Sequence, residues 1–192
     1  MIKTDWINTD LLSGSHDCAD SLAQIKQWSA LKLFYRQYMP YARVSAKESV
    51  AVICQHHTPA LADDKPPSMA QAITTQTLTG SNKAFNSPAK IIAAVRIKPV
   101  GPFQLINGVL VEPDSRGKGV ASDLLNFINP HLIDKKCFLF TEAILQPLYQ
   151  KQQFNLVTPQ QTNQIPADIL QLYLRYHSDK RPLVIMQLCR TL

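Results

Sequence analysis

The chain has 192 residues, 45% of them apolar and 18% charged, with a formal net charge of +6 and a pI of about 9.2. That is enough chain for one sizeable hydrophobic core, and no apolar run nears the roughly 20 residues of a membrane span or forms a signal peptide. The basic residues are scattered, with no run longer than Lys135-Lys136 or Lys180-Arg181, which argues against a nucleic-acid interface and leaves a weak bias toward anionic ligands.

In chain order, the first twenty residues are polar and carry no clear element. From Ser21 to about Tyr38 the apolar residues Leu22, Ile25, Trp28, Leu31, Leu33 and Phe34 predict a helix with one core-facing side, closed by Pro40. Ser49 to Cys54 (SVAVIC) predicts a short strand. Residues 55–89 are rich in Ala, Thr, Ser, Gln and Pro and read as a long loop or insertion. Strand character resumes at Lys90 to Val100, turns at Gly101-Pro102, and returns from Phe103 to Val111, so these two should pair antiparallel.

A glycine-bearing turn follows. Then comes a helix with Ala121, Leu124, Leu125 and Ile128 on one face, ended by Pro130. Lys136 to Phe140 (KCFLF) is apolar on both faces and reads as a central strand, reached by a right-handed parallel crossover from the strand before the turn. A short helix over residues 144–153, a strand over 154–157, a helix from Pro166 to Tyr176 and a last strand over Leu183 to Leu188 complete the chain. The mixture predicts an α+β fold with a mostly antiparallel sheet, built as a single domain over 1–192 with its core in 90–157. The cysteines Cys18, Cys54, Cys137 and Cys189 form no CxxC pair. They read as free thiols in a reduced, cytoplasmic setting, with no metal site.

The turn is the chemical signal. Arg116-Gly117-Lys118-Gly119 concentrates two of only six glycines just before a helix. It fails as a P-loop, because Gly119 and not a hydroxyl residue follows Lys118, and it lacks the third glycine of a dinucleotide fingerprint. It still suits an anion: the unpaired N–H groups of a helix start point outward at the positive end of the dipole, and glycine lets phosphate approach. Arg116, Gly117, Gly119 and Ala121, led in by Val111 and Pro113, resemble the acetyl-CoA motif of the GNAT superfamily of N-acetyltransferases. Leu148-Tyr149-Gln150-Lys151-Gln152-Gln153-Phe154 resembles that family's later tyrosine motif, except that Gln153 stands where a glycine is usual.

The resemblance implies acetyl-CoA as co-substrate and an amine as acceptor. Its pyrophosphate would sit on Arg116, Gly117, Lys118, Gly119, Val120 and Ala121. Its pantetheine arm would lie along Val109, Leu110 and Val111, in a gap where this strand and the next splay apart. Tyr149 would be the general acid. Many relatives carry a glutamate base on the strand before the turn, and Leu105 to Val111 contains no carboxylate. Glu112 and His56-His57 are the candidate bases, and Glu142 is a candidate rim residue. Phe34, Tyr35, Tyr38 and Tyr41 are core aromatics or the lining of an acceptor pocket. Cys137, on an apolar strand, reads as inert packing. The acceptor stays open between small amine, antibiotic, peptide N-terminus and protein lysine, and the assembly between monomer and homodimer. Two other readings remain: a silent acyl-CoA sensor or subunit, and a basic protein whose turn touches nucleic-acid phosphates.

Overall fold

The structure, a computed structural model, describes residues 2–7, 18–55 and 89–190, with side chains in the first helix from residue 25 onward. The seven strands are β1 (Ile2–Ile7), β2 (Ser49–Gln55), β3 (Lys90–Val100), β4 (Phe103–Val111), β5 (Cys137–Thr141), β6 (Phe154–Leu156) and β7 (Val184–Leu188). The helices are α1 (Cys18–Tyr38), α2 (Val120–Ile128), α3 (Gln146–Gln150) and α4 (Ala167–Tyr176). The strands form one sheet in the order β1-β2-β3-β4-β5-β7-β6. Every neighbouring pair is antiparallel except β4 and β5, which are parallel and joined through α2. This is the expected α+β architecture. The expected loop over 55–89 falls outside the described residues except at its ends.

Three apolar clusters hold the layers. On one face, α2 packs Val120, Leu124, Leu125 and Ile128 against Ala51, Ile53, Val95, Ile106 and Leu139. On the other, α1 covers β2 to β4 with Leu31, Phe34 and Tyr35, and α4 covers Leu105, Phe138 and Ile185 with Ile169. Each such aliphatic side chain taken fully out of water contributes about 1.5–3 kcal/mol. Covering on both faces explains why β3 is an almost unbroken buried run from Ile91 to Ile97, and why β5 buries Cys137, Phe138 and Leu139 in succession.

Three expectations are corrected. The polar N-terminus holds a strand, β1, paired to β2 from Ile2↔Gln55 to Ile7↔Val50. As an edge strand it needs little apolar pattern, and only Ile7 is buried. The core face of α1 is Leu31, Phe34 and Tyr35, whereas Ile25 and Leu33 point to solvent. The helix after β5 is shorter than 144–153: a 3₁₀ turn over Ala143–Leu145 leads into α3, which stops at Gln150.

Beyond α3, Gln153 takes a φ of 64°, the left-handed value that a glycine would take freely. Its carbonyl accepts from Cys189 N at 3.0 Å, so the sheet holds the backbone in that conformation. The strain is about 1–2 kcal/mol for a residue with a Cβ. Gln153→Gly is expected to raise stability by about 0.5–1 kcal/mol, once the extra chain entropy of glycine is subtracted. Urea unfolding checks this, and a loss of stability would show that the Gln153 side chain holds the turn itself.

Candidate active site

The glycine turn sits at the surface beyond β4. Gly117 and Gly119 have φ values of 73° and 80°, where an L side chain crowds its own backbone. Nothing stands within 4 Å of a Cβ built at either one, so the space above the turn is open. Gly119 is the N-cap of α2, and no side chain caps that end. The first N–H groups of α2 therefore remain available at the positive end of its dipole. Arg116 Nε donates to the Val111 carbonyl at 3.1 Å, tying the turn to the end of β4. Val120 turns its side chain into the core and Ala121 is half-buried, so their backbone is what faces outward.

Below the turn the sheet opens. β4 and β5 pair only over Gln104–Ile106 with Cys137–Leu139, although both strands run on. The cause is local. Between the pairs Ala94↔Leu110 and Arg96↔Asn107, one residue of β3 faces two of β4, a bulge at Gly108 and Val109. Such a bulge bends its strand away from a neighbour. Gly108 has a φ of 61°, and a Cβ there would lie 2.8 Å from Arg96 Nε, so only glycine fits. The expected splay is present, and a cavity of about 600 Å³ occupies it. Its wall takes Gly108 and Val109 from β4, Leu139 to Thr141 from β5, and Tyr149 from α3. Leu110 and Val111 are not on that wall: the Leu110 side chain packs with α1, and Val111 packs against the α2 cluster.

Tyr149 is 6% exposed and packs edge-on against Phe154, with 6.4 Å between ring centres. Burial pushes its pKa up to about 12, and a hydrogen bond with Thr141 opposes the rise. The phenol is therefore neutral at physiological pH, able to donate a proton and unable to serve as a base.

The other candidates divide. Glu112 is buried, ion-paired with Lys90 and bonded by the Tyr38 hydroxyl at 3.2 Å, and it is absent from the cavity wall. A base there would have to leave both partners, so Glu112 is corrected to a structural role. His56-His57 lie outside the described residues. Glu142 is exposed on the cavity wall, as expected of a rim residue. Of the four aromatics, only Tyr41 lines the cavity; Phe34 and Tyr35 are core, and Tyr38 serves Glu112.

Cys137 is fully buried and burial pushes its thiol up to about 12, so it is no nucleophile near neutral pH. The thiol ionises near 9 in the unfolded chain and near 12 when folded, so the folded form holds the proton more tightly. Its stabilising share is whole below pH 9 and is lost as pH rises toward 12, at about 1.4 kcal/mol per pH unit. Cys137→Ala is expected to lose stability less steeply than the native chain between pH 9 and 10, measured by urea unfolding at each pH.

Sequence reasoning missed a second group on the same cavity. Arg96, 3% exposed, leaves β3 and meets Glu48 at 3.2 Å and the Arg43 carbonyl at 2.7 Å, both through Nη1. Its guanidinium lies over the Tyr35 ring at 5.0 Å, while the Tyr35 hydroxyl donates to the Gly108 carbonyl at 2.7 Å. Arg96 Nε has no hydrogen-bond partner among the described residues. An orphaned buried donor of this kind costs about 1–3 kcal/mol. Arg43, Lys47, Lys98 and Arg181 also line the cavity, and among the described residues none of them makes a salt bridge. Two signals were available: a charge inside the apolar run IIAAVRI needs a partner, and a lone glycine inside QLINGVLV marks a bulge. Glu48 carried none.

Solved structures share this fold. Escherichia coli ElaA matches with a TM-score of 0.52 at 16% identity, over 97% of this chain and 98% of that one. Tetrahymena GCN5 matches with a TM-score of 0.51 at 14% identity, over 99% and 98%. The chain therefore has the GNAT acyl-CoA N-acyltransferase fold. At these identities the likeness establishes the fold alone. No protein-family model and no curated protein matches the sequence.

Proposed function

We propose that the chain is an N-acetyltransferase that moves the acetyl group of acetyl-CoA to an amine by direct attack. The observation that carries this is the opening between β4 and β5, set directly below an uncapped helix start with open space over Gly117 and Gly119. The fold adds support, since an acyl-CoA site belongs to that architecture.

In this reading the N–H groups from Gly117 to Ala121 hold the pyrophosphate, with Arg116 and Lys118 adding positive charge. The backbone of Val109, Leu110 and Val111 lacks a partner strand on its β5 side and takes the pantetheine amides as an added strand. The acceptor nitrogen attacks the thioester carbonyl carbon. The C–S bond breaks, Tyr149 gives its proton to the departing thiolate, the attacking nitrogen loses its extra proton to solvent as the amide forms, and Tyr149 is reprotonated from solvent. Among the described residues Glu112 is engaged with Lys90 and Glu48 with Arg96, so in this reading the base is either His56-His57 or none, with the amine entering as the free base.

The test is acetyl-CoA binding by thermal shift, followed by thiol release with a panel of amines. A chain whose melting temperature responds to neither acetyl-CoA nor longer acyl-CoAs overturns the reading. Among the described residues the cavity wall carries no free buried carboxylate, which favours one second reading, a silent acyl-CoA-binding subunit. It predicts binding without turnover on any amine.

A further inference from the structure

The opening between β4 and β5 depends on which strand bends. β5 runs on: Phe140↔Ile185 and Thr141↔Val184 keep it paired to β7 past the point where β4 departs. Continuing the parallel register would set Asn107 beside Phe140 and Gly108 beside Thr141, and neither pair forms. So β4 is the strand that leaves, and it leaves at its bulge. A bulge puts backbone groups outside the ladder, and something else must satisfy them. Here three side chains from outside β4 do so. The Tyr35 hydroxyl, brought by α1, donates to the Gly108 carbonyl at 2.7 Å, so the helix layer engages that carbonyl. The Arg96 guanidinium fills the space where a Gly108 side chain would begin: a Cβ there would lie 2.8 Å from Nε and 3.0 Å from Nη2. Arg96 is itself fixed, by Glu48 at 3.2 Å and the Arg43 carbonyl at 2.7 Å, and its charge lies over the Tyr35 ring at 5.0 Å. Tyr35, Glu48 and Arg96 are all buried, so the ion pair and the cation–π contact are little screened by solvent.

We propose that Tyr35, Arg96 and Glu48 form a clamp that pins the β4 bulge, and that they are positioning residues for acetyl-CoA. They act through the β4 backbone: they keep Val109, Leu110 and Val111 out of pairing with β5 and open to the pantetheine arm. The proposal rests on the acetyltransferase reading above. With the clamp released, the bulge can iron out, β4 extends its pairing with β5, and the opening closes. Acetyl-CoA then binds only the fraction of the chain that stays open.

The experiment uses Tyr35→Phe, which removes one hydroxyl and keeps the ring beside Arg96. Ile7→Ala, in the same apolar cluster but on β1 and away from the bulge, controls for a general loosening of that core. Each chain is titrated by calorimetry with acetyl-CoA and with ADP, which has a pyrophosphate but no pantetheine arm. Tyr35→Phe is expected to raise the Kd for acetyl-CoA about 10-fold, as if the open form fell to about a tenth of the population, and to leave the Kd for ADP unchanged. Amide hydrogen exchange on the unliganded chain is expected to quicken at residues 107–111 in Tyr35→Phe and not in Ile7→Ala. Glu48→Ala is expected to reproduce both changes, and Glu48→Gln, whose amide oxygen still accepts from Arg96, to recover most of the affinity. An unchanged acetyl-CoA Kd or unchanged exchange at 107–111 in Tyr35→Phe overturns the proposal, and so does the same pair of changes in Ile7→Ala. ADP affinity falling in step with acetyl-CoA also counts against it, because that places the effect at the glycine turn. A native chain that binds neither ligand instead overturns the acetyltransferase reading, and this proposal falls with it.

Discussion

Acetyl-CoA is expected to raise the melting temperature of the native chain, and replacing Gly119 with glutamate is expected to abolish that rise. At a hundred times its dissociation constant, a ligand that binds only the folded state adds about 2.7 kcal/mol, or roughly 5–10 °C for a chain of this size. Gly119 has a φ of 80° and caps α2, with nothing within 4 Å of a Cβ position. A side chain there would project into the space that the proposed phosphate site requires, and a carboxylate would also repel the phosphates. Folding suffers less than binding. The left-handed strain of about 1–2 kcal/mol is partly offset, because a negative charge at a helix start is favourable by about 0.3–1 kcal/mol. Gly119→Ala separates the effects, since it keeps the strain without the charge and should retain part of the response. An undiminished shift in the glutamate variant would move the donor site away from this turn.

Tyr149→Phe is expected to lower kcat by about 100- to 10,000-fold, the usual range for a positioned general acid, while acetyl-CoA binding stays as it was. The ring remains packed against Phe154, so the change removes a proton and a hydrogen bond and leaves the core intact. The pH profile gives a second reading of the same residue. Burial holds the Tyr149 pKa near 12, so the acid form persists as pH rises through 9 and 10. If Tyr149 is the proton donor, kcat of the native chain should show no falling limb until about pH 11. A limb centred near pH 10 would place the proton donor on an ordinary exposed phenol. Full activity in Tyr149→Phe would mean that the thiolate leaves unprotonated or takes its proton from water.

The sequence by itself determined the middle of this protein. Strands β3, β4 and β5, the helix α2 and the turn between them were legible because their signals are local. Apolar runs mark strands covered on both faces. An i, i+3, i+4, i+7 set marks a helix lying on a sheet. Two glycines before a helix mark a backbone that needs positive φ, and both adopt it. The Tyr149 segment was legible as a resemblance, and the structure brings that residue to the cavity wall.

What the tertiary structure decided lies at longer range. β1 has a polar sequence because an edge strand needs one partner, β2, and one buried residue, Ile7. Leu33 sits on the solvent side of α1, and Tyr35 takes the core side because its hydroxyl has a carbonyl to reach at Gly108, 73 residues away. Arg96 and Glu48 are 48 residues apart and meet because β2 and β3 are antiparallel neighbours. Glu112 looked placed for catalysis by its position after β4, and the folded chain gives it to Lys90 and Tyr38 instead. Gln153 shows the same division at one residue. Its sequence disfavours a left-handed turn, and the pairing of its carbonyl with Cys189 imposes one. Periodicity and glycine placement report on each residue's own backbone and face, whereas partners are assigned only when the sheet closes and brings distant charges and hydroxyls within bonding distance.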